Sequence, residues 1–278
     1  MAAPTGFATG NGSRTLLESR AGATATTIKH RGESNMRAWS FALLLLCTSA
    51  VRAEGLDILA EHHAWGRFKP GASATLRHTD FTTSADGSEQ TTKVAVVVSQ
   101  LEEVHEDGIT LKVQETIDGQ TAEPRTVRQA WDGQPPELER RLRLSVGEIK
   151  VGGATVVCQT HELTSAANGI KTVDKWWYSP DQPPYLLKRI LRNTSGPAHF
   201  LSVETTSLGV EQEVLGRPLA CDEMLTIETF TDRASRTQSV TSLAVPGGLV
   251  SSHTQLRDKQ KGTVAGKRVE LLEYQAKP

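Results

Sequence analysis

The sequence predicts a mainly β protein: a long antiparallel meander forming a curved sheet or half-barrel, with one N-terminal helix and two related β modules. Three observations carry this. Apolar and polar residues alternate in "RRLRLSVGEIKV", where Leu142, Leu144 and Val146 face one way and Arg141, Arg143 and Ser145 the other, the pattern of a half-buried antiparallel strand. Short β-rich runs are punctuated by Asp107-Gly108, Asp118-Gly119 and Asn168-Gly169, dipeptides suited to tight hairpin turns. The chain also matches itself at one constant offset, which lays Val151, Gly153 and Cys158 on Val214, Gly216 and Cys221.

The elements follow in chain order. Met1–Asn35 is rich in Gly, Ala, Ser and Thr without hydrophobic periodicity. Such a composition buries too little apolar surface to fold, so residues 1–35 are expected to be disordered or not part of the true protein, with Met36 as its start. Residues 36–53 read as a signal peptide. Met36-Arg37 supplies a positive start, "FALLLLCTSAV" a short apolar run, and Val51 with Ala53 the small residues of a cleavage site. The run is too short to span a bilayer, which needs about 20 apolar residues, and no transmembrane segment is expected after cleavage. Leu46, ahead of Cys47, is larger than a lipid-attachment signal wants at that place.

Cleavage after Ala53 starts the mature chain at Glu54. Six of the 31 basic and two of the 32 acidic residues precede that point, leaving a net charge of about −5. No basic stripe remains to neutralise phosphates, so nucleic acid is not expected as a partner. "GLDILAEHHAWGRF" spaces Leu56, Leu59 and His63 as on a helix, and Gly66 could end it. Residues 54–145 are therefore assigned that helix and a first β meander. "TTKVAVVVSQLEEV" and "GITLKVQETIDGQ" form its clearest strand pair. The internal offset also carries Ser179, Pro183 and Leu186 onto Ser242, Pro246 and Leu249. It defines module 1 as residues 146–209 and module 2 as residues 210–278.

Chemistry-bearing residues are sparse. Cys158 and Cys221, the two mature cysteines, are either a disulfide, as suits an exported protein, or two buried thiols at equivalent positions. Cys158, His161, Cys221, His253, His62 and His63 are ligand types for zinc, but no Cys-x-x-Cys occurs and no metal is expected. G-x-S-x-G and phosphate-loop patterns are missing. Glu102, Glu103, Glu106 and Asp107, like Asp222 and Glu223, read as solvated charge beside turns. No catalytic residue and no cofactor are assigned.

The aromatic stretch "KWWYSPDQPPYLLKR", Lys175–Arg189, invites a functional reading. Strand alternation puts Asp174, Trp176 and Tyr178 on one face, and Val173 with Trp177 on the other. Its counterpart at the internal offset is Ser239, Val240 and Thr241, one apolar residue between two polar ones. That assigns Trp177 to the core and leaves Trp176 and Tyr178 as a ligand face.

This stretch, echoed by "SLAVPGGLVSS" (Ser242–Ser252), resembles the periplasmic lipoprotein-carrier superfamily of LolA- and RseB-like proteins. The resemblance implies a curved, half-open β-barrel with helices plugging its concave side, and it carries over no functional residue. The expected function is that of a secreted or periplasmic, non-enzymatic binding protein holding an apolar ligand or protein partner on a concave sheet face. A structural or envelope-assembly protein acting through sheet edges is the alternative. Expression in a host that exports the chain should yield a product whose amino-terminal sequencing begins at Glu54; a product retaining Met36 overturns the signal assignment.

Overall fold

The computed structural model describes residues 59–84, 86–131, 140–167, 169–258 and 264–277. The expected signal peptide and the stretch before it lie outside these. The described residues form one 14-stranded antiparallel sheet that does not close. Its strands are β1 (Ser73–Thr83), β2 (Glu89–His105), β3 (Gly108–Ile117), β4 (Gln120–Thr121), β5 (Arg125–Ala130), β6 (Arg140–Val151) and β7 (Ala154–Ala167). After them come β8 (Ile170–Tyr178), β9 (Leu186–Asn193), β10 (His199–Val214), β11 (Arg217–Phe230), β12 (Arg233–Thr241), β13 (Leu249–Asp258) and β14 (Val264–Gln275).

The strand order is β4-β3-β2-β1-β14 and then backward in sequence to β6, with β5 also on β3. Two meanders, β1–β5 and β6–β14, therefore join through the β1–β14 ladder. The chain passes from one end of this order to the other between Ala130 and Arg140.

Several hairpins turn where the sequence asks for it. Asp118 and Gly119 both adopt positive φ, at 47° and 84°, as a two-residue type I′ turn requires. Gly152-Gly153 and Leu215-Gly216 do the same for β6–β7 and β10–β11. Strands related by the internal offset coincide. β7 and β11, starting at Ala154 and Arg217, are each 14 residues long. β8 and β12, starting at Ile170 and Arg233, are each 9 residues long. The turns after β8 and β12 share their hydrogen bonds too. Ser179 N donates to Tyr185 O at 2.8 Å, and Ser242 N to Gly248 O at 2.7 Å.

The expected N-terminal helix is not there. Among the described residues of this stretch only Ala60–His62 forms a 3-10 turn, flanked by β-type backbone at Leu59 and His63 and without a side-chain cap. The physical reason lies in what satisfies the backbone. Ala64 O accepts from Gly247 N at 3.1 Å, Lys69 N donates to Lys277 O at 2.6 Å, and Gly71 N donates to Leu101 O at 2.6 Å. Residues 59–72 thus form a strap bound to the sheet, and the apolar side chains it buries, Trp65 and Phe68, anchor it. The strap leaves no room at Gly247, where a Cβ would sit 3.0 Å from the Trp65 ring on a backbone of φ +80°. The plugging helices implied by the lipoprotein-carrier resemblance are likewise absent among the described residues, none of which forms a helix of seven or more residues.

Among the described residues two apolar clusters stand out in the core. The larger joins Trp65, Phe68, Leu76, Leu101, Leu111, Val214, Cys221, Val245 and Val269, with Leu219, Val240 and Val250 packed against it. The smaller holds Val151, Cys158 and Leu187, with Val156, Trp177 and Leu208 alongside. Cys158 and Cys221 are both free, so the disulfide expectation is corrected. β7 and β11 are separated by β8, β9 and β10. Four strand spacings amount to about 19 Å, well beyond the ~7 Å that a bridge spans.

Neighbouring residues on adjacent strands line up in rungs across the sheet. One rung runs His161, Trp176, Arg189, Val203, Thr226, Thr237, Thr254, Lys267 and Asp80. It is polar for most of its length, yet His161, Trp176, Arg189, Thr237, Thr254 and Lys267 are buried. Arg189 meets Asp174 in a two-pronged ion pair, Nε to Oδ1 at 3.0 Å and Nη2 to Oδ2 at 2.7 Å, with the two side chains only 4 % and 5 % exposed. Thr237 and Thr254 bond hydroxyl to hydroxyl at 2.8 Å. Replacing Asp174 by Ala leaves Arg189 buried without its carboxylate and should cost about 3–5 kcal/mol in urea unfolding; a loss under ~1 kcal/mol overturns this assignment.

Candidate functional site

Trp176 and Tyr178 point to the face that the polar rung occupies. Trp176 is 4 % exposed and the Arg189 guanidinium lies 5.3 Å from its ring centre. Its indole Nε1 is buried without a hydrogen-bond partner, as are both ring nitrogens of His161 beside it. Tyr178 is engaged by the strap: its hydroxyl bonds His62 Nδ1. His62 also stacks on Tyr185, with centroids 3.9 Å apart and an 18° angle, and the Arg67 guanidinium lies 5.7 Å from the Tyr185 ring centre. Tyr185 itself sits at φ 69°, a left-handed conformation that is uncommon for a bulky residue; the stack on His62 helps hold it. Of the two residues read from sequence as a ligand face, Tyr178 is engaged by the protein's own strap and Trp176 is buried beside Arg189.

Burial sets the charge state of this neighbourhood. Desolvation, the leading cause throughout, lowers His62 and His161 and pushes Tyr178 up to about 12. His63, further along the strap, goes down to about 4, and its Nδ1 accepts from Trp65 N at 3.2 Å. His78, on β1, goes down to about 3, first by burial and then by Lys267 and Lys93. All of these are neutral near pH 7.

The opposite face carries a second rung: Trp177, Lys188, Glu204, Leu225, Gln238, His253 and Arg268. Trp177 is half-buried, with the ammonium groups of Lys175 and Lys188 at 5.1 and 5.8 Å from its ring. It does pack on the smaller core cluster, but the more deeply buried of the two tryptophans is Trp176. Further along the rung the surface opens into a groove of about 560 Å³ between β11 and β14, lined by Leu225, Arg236, Gln238, Val240, His253, Arg268 and Glu270 among others. Neither Trp176 nor Tyr178 lines it. Arg268 is ion-paired to Glu89 and lies over Phe81 at 4.8 Å. Arg77 Nε donates to Glu270 at 3.0 Å. Glu223, at the groove's other wall, accepts from Ser207 Oγ at 3.2 Å. The His253 Nε2 atom is buried with no hydrogen-bond partner.

Sequence reasoning missed this groove, although one signal pointed to it. Val240 is the counterpart of Trp177 at the internal offset, and Val240 lines the groove while Trp177 packs on the smaller core cluster. A valine at the position of a tryptophan leaves room that the larger ring would fill. Among the described residues no three His, Cys, Asp or Glu side chains converge as metal ligands. Cys158 and His161, three apart on β7, fall on alternate faces of that strand.

No family model matches the chain, and no curated protein matches it. A solved structure from Bacteroides fragilis, described as a "putative exported protein with YmcC-like fold", aligns over 75 % of this chain and 98 % of its own, at 11 % identity and a TM-score of 0.28. A superposition this loose fixes neither fold nor function. The comparisons do not show the lipoprotein-carrier resemblance.

The depressed histidines make stability pH-dependent in one direction. Unfolding frees His63 and His78 to bind protons near the ordinary value of 6.5, which they resist while folded down to about 4 and 3. Their contribution is therefore complete above pH ~6.5 and is lost as pH falls through 4 and 3. Between pH 7.5 and 5 each should cost roughly 2 kcal/mol, read as a falling urea midpoint. His78→Leu should flatten that slope; an unchanged slope overturns the account.

Proposed function

We propose that the chain is an exported, non-enzymatic binding protein built from two related β modules, residues 146–209 and 210–278, whose ligand occupies the groove between β11 and β14. The groove volume carries the reading: about 560 Å³ lies within the roughly 300–1,000 Å³ typical of small-ligand sites. Leu225 and Val240 offer apolar contact, while Gln238 and Ser251 bring polar side chains to the lining. A ligand with an apolar body and a polar atom fits this lining. Three of the charged groups in the walls are held by neighbours, Arg268 by Glu89, Glu270 by Arg77 and Glu223 by Ser207. Coincident strand lengths and turn bonds at the internal offset support the two modules, and the apolar run ahead of Glu54 supports export.

The alternative of a structural or assembly protein rests on a different observation, the edge at β6, which no strand among the described residues covers. The groove is tested with the fluorescent probe anilinonaphthalene sulfonate, an aromatic body bearing an anionic head. Native mature protein should enhance its emission, and Val240→Trp, which fills the groove, should weaken binding at least about tenfold at unchanged circular dichroism. Equal probe affinity in the two proteins, or no enhancement with either, removes the groove as the binding site.

A further inference from the structure

The two ends of the sheet are treated differently. At one end β4 has two residues and β5 six, the latter beginning directly after Pro124, the short and proline-flanked edge that discourages further pairing. At the other end stands β6, twelve residues long and paired to β7 without a register shift. Every second residue of an edge strand turns its N–H and C=O outward, and no strand among the described residues meets that row. The most exposed large apolar side chains lie beside it: Leu144 at 57 %, Val146 at 77 % and Val157 at 60 %. Cross-strand pairing of Leu144 with His161, Val146 with Gln159 and Glu148 with Val157 places all three on one face.

We propose that β6 is the interface of a homodimer, in which the β6 strands of two copies pair antiparallel about a two-fold axis at Leu144. Two identical antiparallel strands satisfy such an axis by construction, and two-fold dimers are the commonest assemblies. This register pairs apolar with apolar residues and an acid with a base. It sets Leu144 against Leu144 of the second copy, Val146 against position 142, a leucine, and Glu148 against position 140, an arginine. Moving the axis one residue on, to Ser145, instead brings Lys150 opposite Arg140, and like charges directly opposite are destabilising. β10 comes near this strand, and at the hairpin tip Gly152 faces Thr206 of β10, whereas Leu144 and Val146 stay exposed.

The inference is independent of the groove, which no residue of β6 lines. Sedimentation equilibrium of the mature chain should show a concentration-dependent shift from monomer to dimer mass. Val146→Lys should remain monomeric at concentrations where the native chain is dimeric, while still enhancing probe fluorescence. Leu144→Cys, placed on the axis, should cross-link to a dimer under mild oxidation, since Cys158 and Cys221 are buried. A native chain that stays monomeric throughout overturns the proposal, whether or not it captures an extended peptide of another protein. So does a dimer that survives Val146→Lys, or one in which Leu144→Cys does not cross-link.

Discussion

Two meanders become one sheet only because β1 pairs with β14. Every position of β1, Ser73 to Thr83, finds a partner on the last strand of the chain. Without that ladder β14 and β1 would each be an exposed edge, and the larger core cluster, which takes Leu76 from one and Val269 and Leu271 from the other, would be cut in half. The strap depends on the same junction, since Lys69 reaches Lys277 just past β14 while Gly71 reaches Leu101 on β2. Closing so distant a contact is entropically slow, so the local hairpins form under no such constraint while the junction must wait for two strands far apart in sequence.

Much of this architecture was legible in the sequence. Strict alternation in Arg140–Val151 marked a strand, and Asp118-Gly119 marked a turn whose backbone only such residues tolerate well. Periodicity failed at the strap. Leu59 and His63 have helical spacing, yet the buried residues His63, Trp65 and Phe68 follow the sheet they lie on, and their backbone partners, Gly247 among them, are distant in sequence. The cysteines stayed open between a bridge and two buried thiols for a related reason: counting them gives their number, whereas the sheet order gives the distance between them.

The site was legible in part. Strand alternation separated Trp176 and Tyr178 from Trp177, but it could not say which face the protein covers with its own segment. The strap takes Tyr178 through His62, and the groove lies on the face of Trp177. What decides the difference is size at one position, Val240 against Trp177, and a cavity left by a missing ring has no signature in a single sequence unless its larger equivalent is set beside it.

The buried ion pair has one more consequence, for accuracy in folding. β8 and β12 have the same length and the same kind of turn after them, so either could dock beside β9 on shape alone. β8 brings the Asp174 carboxylate to Arg189; the residue at the matching place in β12 is Thr237. The wrong neighbour would take that carboxylate away from a buried guanidinium, at a cost of several kcal/mol. The pair thus acts as an identity check between look-alike strands, a form of proofreading written into the sheet.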